Sequence, residues 1–251
     1  MLKPEKRINL FNVVCILFCI IIGFSHAKTS AETIEVQPST ILANNIHQIM
    51  IKPSATDASI TKADVPHLVW YQAESPAEKF RTQRVFGTQL LPLIPDQPQD
   101  AIINRFEKLL SYLIQFDKKG HWDKFLVNGR INWKKIIVAG QSQGGGMAAF
   151  IAKKIVVNKI ITFSGGWDFS ARPAIANWYH NESVTPAKDW FGVYHSQEPM
   201  ADIINNTYNA MAIPEEHIYR LKEKVRDGKK AHGEGIRNTV YKNLWVSFLS
   251  D

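Results

Sequence analysis

The stretch VAGQSQGGGMAAF, residues 138–150, limits the fold of this chain more than any other part of it. Upstream, KKIIVAG is a compact apolar run after two cations, with the composition of a buried strand. Downstream, MAAFIAKK consists largely of good helix formers. Between them a Ser stands flanked by two glutamines, with glycines at 140, 144, 145 and 146. Gly140-Gln141-Ser142-Gln143-Gly144 has the G-x-S-x-G spacing of a sharp strand-to-helix turn, which strains the Ser backbone and lifts its hydroxyl above the sheet. Side chains at 140 or 144 would collide with neighbouring backbone in so tight a turn. Gly145 and Gly146 let the new helix approach the sheet closely. That helix also aims its unpaired N–H groups and positive dipole end at any negative charge on Ser142.

The rest of the chain extends this pattern. KTSAETIEVQPST reads as an extended arm or a short first strand, and IHQIMIKP and HLVWYQ as short buried strands. Residues 72–100 contain Pro76, Pro92, Pro95 and Pro98 and are predicted to be an irregular surface crossing rather than a helix. From Ala101, the three- and four-residue spacing of Ile102, Phe106, Leu109, Leu110, Leu113 and Ile114 predicts an amphipathic helix that stops near Lys118-Lys119-Gly120. VNKIITFSGG and DWFGVYHS follow as further strands, and a C-terminal apolar helix carries Val240, Leu244, Trp245 and Phe248. Alternation of short apolar strands with helices predicts an α/β chain, with a mostly parallel sheet covered by helices on both faces.

The N-terminus has the features of a secretory leader. Lys3, Lys6 and Arg7 precede an uncharged run from Val13 to Phe24, and Ser25-His26-Ala27 places small residues where a signal peptidase reads them. Residues 1–27 are therefore expected to be a cleaved signal peptide, and 28–251 a single domain with an aromatic-rich insertion around 167–190. The run is shorter than the about 20 apolar residues of a membrane span. No stable span is expected after cleavage, and the location is secreted or periplasmic, with an uncleaved N-terminal anchor as the alternative. Both cysteines, Cys15 and Cys19, fall inside the leader, so the mature core would hold without disulfides.

On GQSQG together with INWKKIIVAGQSQGGGMAAFIAKK and the downstream ITFSGGWD, the chain resembles the α/β-hydrolase superfamily. Within it, the chain is similar to a little-characterised group of predicted secreted bacterial hydrolases. The resemblance is good from about Ala101 to Ser164, fair from there to the end, and poor before residue 66, which leaves open a fold reduced at its N-terminal end. It implies a triad in the order Ser, acid, His. Ser142 would be the nucleophile. FGVYHSQEPMAD has the shape of a strand running into an acid turn, which points to Glu198, with Asp202 close behind and Asp168 after the preceding strand as a third possibility. His232, beside Gly233 in the last loop, stands where the superfamily delivers its base; His217, His195 and His180 are the other histidines after Ser142. The first oxyanion donor would be the backbone N–H of Gln143. The second usually follows an early strand, but here that position reads KPSATDAS: Pro53 has no N–H, which leaves Ser54 or Ala55.

What the resemblance implies is acyl transfer to water, on a small-molecule or lipid-like ester more than an amide, with no cofactor. The alternative is a hydrolase-fold protein of weak or no activity that binds a ligand or partner, since fold alone does not establish activity. In WDFSARPAIANWYHNESVTPAKDWFG, the aromatic residues Trp167, Trp178, Tyr179 and Trp190 would either line a pocket or pack an excursion onto the body. Other classes find little support. The formal charge of +7 is spread thinly, with Lys-Lys pairs at 118, 134, 153 and 229 that read as solvated faces, and no basic stripe with interleaved aromatics points to nucleic acid. No H-E-x-x-H or Cys/His cluster suggests a metal, and the glycines lack the Lys of a phosphate-binding loop.

Overall fold

The computed structural model describes residues 76–92, 97–171 and 174–249, and as backbone alone three earlier strands: β1 (Val14–Cys19), β2 (Glu35–Pro38) and β3 (His47–Met50). Then follow helix α1 (Pro76–Phe86), helix α2 (Ile102–Phe116), a small hairpin of β4 (Leu126–Val127) and β5 (Arg130–Ile131), strand β6 (Ile136–Gln141) and helix α3 (Gln143–Lys154). Strand β7 (Lys159–Phe163) leads into the short pair β8 (Phe169–Ala171) and β9 (Ala174–Ile175). The chain ends with β10 (Trp190–His195), α4 (Ala201–Ala210), β11 (Ile218–Leu221), α5 (Glu234–Arg237) and α6 (Lys242–Leu249).

The main sheet has the order β11-β10-β7-β6-β1-β3-β2 among the described residues, parallel throughout except for β2 against β3. Strand β6 is buried along its whole length, as its apolar composition requires of a strand covered on both faces. Its alternation divides the core. Ile136 and Val138 join Ile160 and the residues of α2, α3 and α4 on one face, whereas Ile137 and Ala139 join Ile161, Phe163, Val193 and Phe248 of α6 on the other. The α/β class with helices on both faces is thus the observed one. Of the expected leader, residues 1–27, only β1 is described, paired in parallel with β3 and β6. The HLVWYQ strand lies outside the described residues.

The expected irregular crossing over 72–100 contains a helix instead. Pro76 is the first residue of α1, where a missing N–H costs nothing and a fixed φ suits the helix. The chain then runs without proline to Gly87, whose φ of +81° ends the helix. Gln83 completes the end by accepting the backbone N–H groups of Leu90 and Leu91. Counting prolines hid this helix, because only those after Gly87 break it.

One Lys-Lys pair also departs from a solvated face. Lys153 is buried on α3 and donates to the carbonyl of Asn181, because the excursion after β9 folds back over this end of the helix. Burial, and then the neighbouring Lys154, lower its pKa from 10.5 to about 8. Between those values the unfolded chain binds more protons than the folded one, so this lysine makes stability rise with pH across that window. Denaturant unfolding of the wild type and of Lys153→Met at a series of pH values should show the difference in stability between them change by on the order of 3 kcal/mol over the window. Parallel profiles for the two proteins would contradict this origin.

Candidate active site

Ser142 sits at the apex between β6 and α3 with φ 57° and ψ −123°, a conformation that non-glycine residues adopt only where surrounding structure enforces it. The enforcing contacts are backbone ones. Ser142 N–H donates to the Phe163 carbonyl at 2.9 Å, and its own carbonyl accepts from Gly146 N–H at 3.2 Å. The glycines around it do different things. A Cβ on Gly140 would strike the backbone of Gly144 and Gly145, which is the collision the spacing predicts. A Cβ on Gly145 would press on Thr162 and on Gly165, where the helix lies against β7. A Cβ on Gly146 would fall on the guanidinium of Arg81.

Arg81 was not legible as part of this site. It comes from α1, is fully buried, and holds Asp168 with both arms, Nε to Oδ2 at 2.6 Å and a terminal nitrogen to Oδ1 at 2.8 Å. Its other terminal nitrogen donates to the carbonyl of Gln143 at 3.3 Å, the residue directly after Ser142. Burial opposes the charge, but the Asp168 carboxylate outweighs it and holds the guanidinium above its ordinary pKa. Asp168 also accepts from Trp178 Nε1 at 3.0 Å. This carboxylate is committed to the ion pair with Arg81.

The acid turn after β10 places Glu198 differently. Successive turns, Glu198 N–H to His195 O and Ala201 N–H to Glu198 O, both at 3.0 Å, follow the strand and carry its side chain to Ser164 and His232. One carboxylate oxygen, Oε1, accepts from Ser164 Oγ at 2.6 Å and from His195 N–H at 2.8 Å. The other, Oε2, lies 2.7 Å from Nδ1 of His232. The Glu198 side chain is 1% exposed and that of His232 33%, so the carboxylate is sealed from water while the imidazole is open to it. An Nδ1–H donated to Glu198 leaves Nε2 as the free acceptor. Asp202 lies exposed in the first turn of α4.

His232 rides on a short turn, 231–233, in the last loop, and two anchors fix that loop. Gln141, the buried residue directly before Ser142, donates from Nε2 to the His232 carbonyl. Glu234 is tied to Arg226 Nε at 3.0 Å and to Asn238 Nδ2 at 2.7 Å. Burial raises the Glu234 pKa, but these donors outweigh it and leave the carboxyl below its usual value. The two glutamines thus flank Ser142 with separate contacts: Gln141 holds the His232 loop, and the Gln143 carbonyl is held by Arg81.

The other histidines are accounted for. His195 is buried, accepts Gln197 N–H at Nδ1 and faces the Glu223 carbonyl with Nε2. His217 bonds the Trp190 carbonyl and stacks on Phe191. His180 is exposed at the end of a short turn. Of the four aromatic residues weighed for pocket lining, Trp178, Tyr179 and Trp190 are buried core. Trp167 alone is half-buried, its ring 5.2 Å from that of His232. Gln143 opens α3 and has a first-turn N–H directed outward from the helix start. Pro53, Ser54 and Ala55 lie outside the described residues.

Ser164 was missed by sequence reasoning. It directly follows β7 with φ 46°, donates its own N–H to Val193 O at 2.7 Å, and turns its hydroxyl to Glu198. The only signal was its place in FSGGWD, a strand-to-glycine junction next to β6.

Among the described residues, no group of His, Cys, Asp and Glu side chains is arranged to hold a metal ion, and no helix is long and apolar enough to cross a membrane. No family model and no curated protein sequence matches the chain. Solved structures do resemble it. The acylaminoacyl peptidase of Pyrococcus horikoshii aligns over 98% of this chain at 12% identity with a TM-score of 0.48, and the chain spans 38% of the peptidase. A thermophilic esterase from Thermogutta terrifontis aligns over 98% of this chain and 84% of its own length, at 10% identity and a TM-score of 0.43. A phospholipase/carboxylesterase from Dyadobacter fermentans aligns over 97% of this chain and 94% of its own, at 11% identity and a TM-score of 0.39.

Proposed function

We propose that the chain is a serine hydrolase that transfers an acyl group to water through an acyl-enzyme on Ser142. The observation that carries this reading is the 2.7 Å contact of His232 Nδ1 with the sealed Glu198 carboxylate, on a loop that Gln141 ties to the strained Ser142 turn. Ser142 Oγ attacks the ester carbonyl as its proton passes to Nε2 of His232, and Glu198 stabilises the resulting imidazolium. The tetrahedral oxyanion forms at the start of α3, facing the N–H of Gln143 and the positive end of the helix. Collapse of the intermediate returns the proton to the departing alcohol. Water then repeats the sequence against the acyl-enzyme, with His232 again taking and returning the proton. Esters are favoured over amides as substrates.

A fluorophosphonate probe tests this directly, because it labels only an activated serine. Covalent labelling that maps to the peptide bearing Ser142 is the expected result. A folded protein that resists the probe would overturn the reading in favour of a binding protein. Within the triad, His232→Asn should cost more than Glu198→Gln, since the acid orients and stabilises but moves no proton. A loss at His217 or His195 in place of His232, measured as kcat on a 4-nitrophenyl ester, would reassign the base.

The basic n-region, the apolar run and the Ser-His-Ala end support export with cleavage after Ala27. Such cleavage removes β1 and leaves that edge of β6 to pair otherwise. N-terminal sequencing of protein from periplasm or medium should read from Lys28, whereas an intact Met1 would refute cleavage and keep β1 in the sheet.

A further inference from the structure

The thin spread expected from the Lys-Lys pairs does not hold, because much of the charge falls in one segment. Residues 220–237 carry seven Lys and Arg against three Asp and Glu, a net +4 out of the +7 of the whole chain. This segment is the one that delivers His232. Two of its cations are neutralised by neighbours, Arg226 by the buried Glu234 and Lys224 by Asp227 at 3.6 Å. Lys222, Lys229, Lys230 and Arg237 are exposed and have no carboxylate partner among the described residues. The Arg237 guanidinium folds back over Gly233, where a Cβ would meet it at 3.4 Å. Lys230 and Lys229 lie two and three residues before His232. With consecutive Cα atoms about 3.8 Å apart, their backbones are within about 8 and 11 Å of it. Those spans match the screening length of about 8–10 Å at moderate salt, so the field of these cations reaches a molecule seated at the imidazole.

We infer that the substrate of this site is an ester with an anion of its own, a carboxylate or a phosphate, drawn in and held by Lys229, Lys230 and Arg237. The inference rests on the hydrolase reading and adds a substrate class to it. An unpaired cluster on a distant helix would be a solvated face; this one occupies the rim of the loop that Gln141 ties to the turn of Ser142. Arg237 offers planar, paired donors suited to either anion, and the lysines add point charges.

The test compares matched esters on the full-length protein. For a carboxylate, mono-4-nitrophenyl succinate is set against its methyl ester; for a phosphate, the butyryl ester of glycerol 3-phosphate is set against monobutyrin. The quantity read is the ratio of kcat/KM, charged over neutral, at about 20 mM and about 500 mM NaCl. At least one pair should show a ratio of about 10 at low salt that falls several-fold at high salt. The pair that does so identifies the anion. Lys229→Glu with Lys230→Glu, and separately Arg237→Glu, should lower the ratio for that pair. Equal ratios, or a preference indifferent to salt and to these variants, would overturn the inference. Variant-sensitive binding to phosphatidylglycerol vesicles without any preference among the esters would also overturn it, by giving the cations to a membrane surface. Failure of the underlying reading looks different: neither member of a pair is turned over and the fluorophosphonate does not label Ser142.

Discussion

Ser142→Ala is expected to leave a folded protein whose hydrolysis of 4-nitrophenyl esters has fallen by about 10^4-fold or more. The hydroxyl is the only group lost. Ser142 keeps its turn through backbone bonds to Phe163 and Gly146, and both survive the change. Alanine also shares with serine the steric cost of φ 57° at this position. Unfolding free energies should therefore match the wild type to within about 0.5 kcal/mol. The comparison is made with kcat, circular dichroism and urea unfolding on the same preparation. Wild-type turnover in the variant would remove Ser142 from the chemistry regardless of its turn geometry.

Arg81→Met should have the largest effect on stability. The variant deletes a buried guanidinium and leaves the Asp168 carboxylate, itself buried, with Trp178 Nε1 as its remaining side-chain donor. Breaking such a pair from one side costs about 3–5 kcal/mol, because the surviving charge has lost both its partner and its water. That is a large part of the roughly 5–15 kcal/mol by which a domain is stable. Removing both charges in Arg81→Met/Asp168→Leu takes away the orphan carboxylate, and stability should recover most of the loss. Urea midpoints for the two variants decide the matter: a double variant no more stable than the single one would show that packing of the arginine stem, and not its charge, holds this region. The single variant also frees the Gln143 carbonyl, so activity should fall in whatever fraction remains folded.

The strand–turn–helix core of the site could be read in the sequence because its causes are local. Gly140 is required by atoms four and five residues ahead of it, and Glu198 by a strand and a proline beside it. The rest depends on partners far along the chain. Nothing near Gly146 signals that Arg81 will fill the space where its side chain would be, and nothing near Ser164 signals that a left-handed turn will aim its hydroxyl at Glu198. The same limit explains Lys153, which looks like a surface cation until the chain at Asn181 covers it. Helix α1 is hidden for another reason: a proline breaks a helix only within it, and Pro76 stands at its first position.

The contacts that complete the site join residues 87, 91 and 34 positions apart: Arg81 to Asp168, Gln141 to His232, and Glu198 to His232. Closures of that span form late in folding, because the entropy of the intervening chain must be lost before the contact is gained. During synthesis His232 emerges after Ser142 and its turn have left the ribosome. A nascent chain stopped before residue 232 can therefore possess the sharp turn and remain inert. On the proposed hydrolase reading, turnover in a refolding experiment should return with the slowest of these closures and later than helix or strand, which would make it a clock for the last of them.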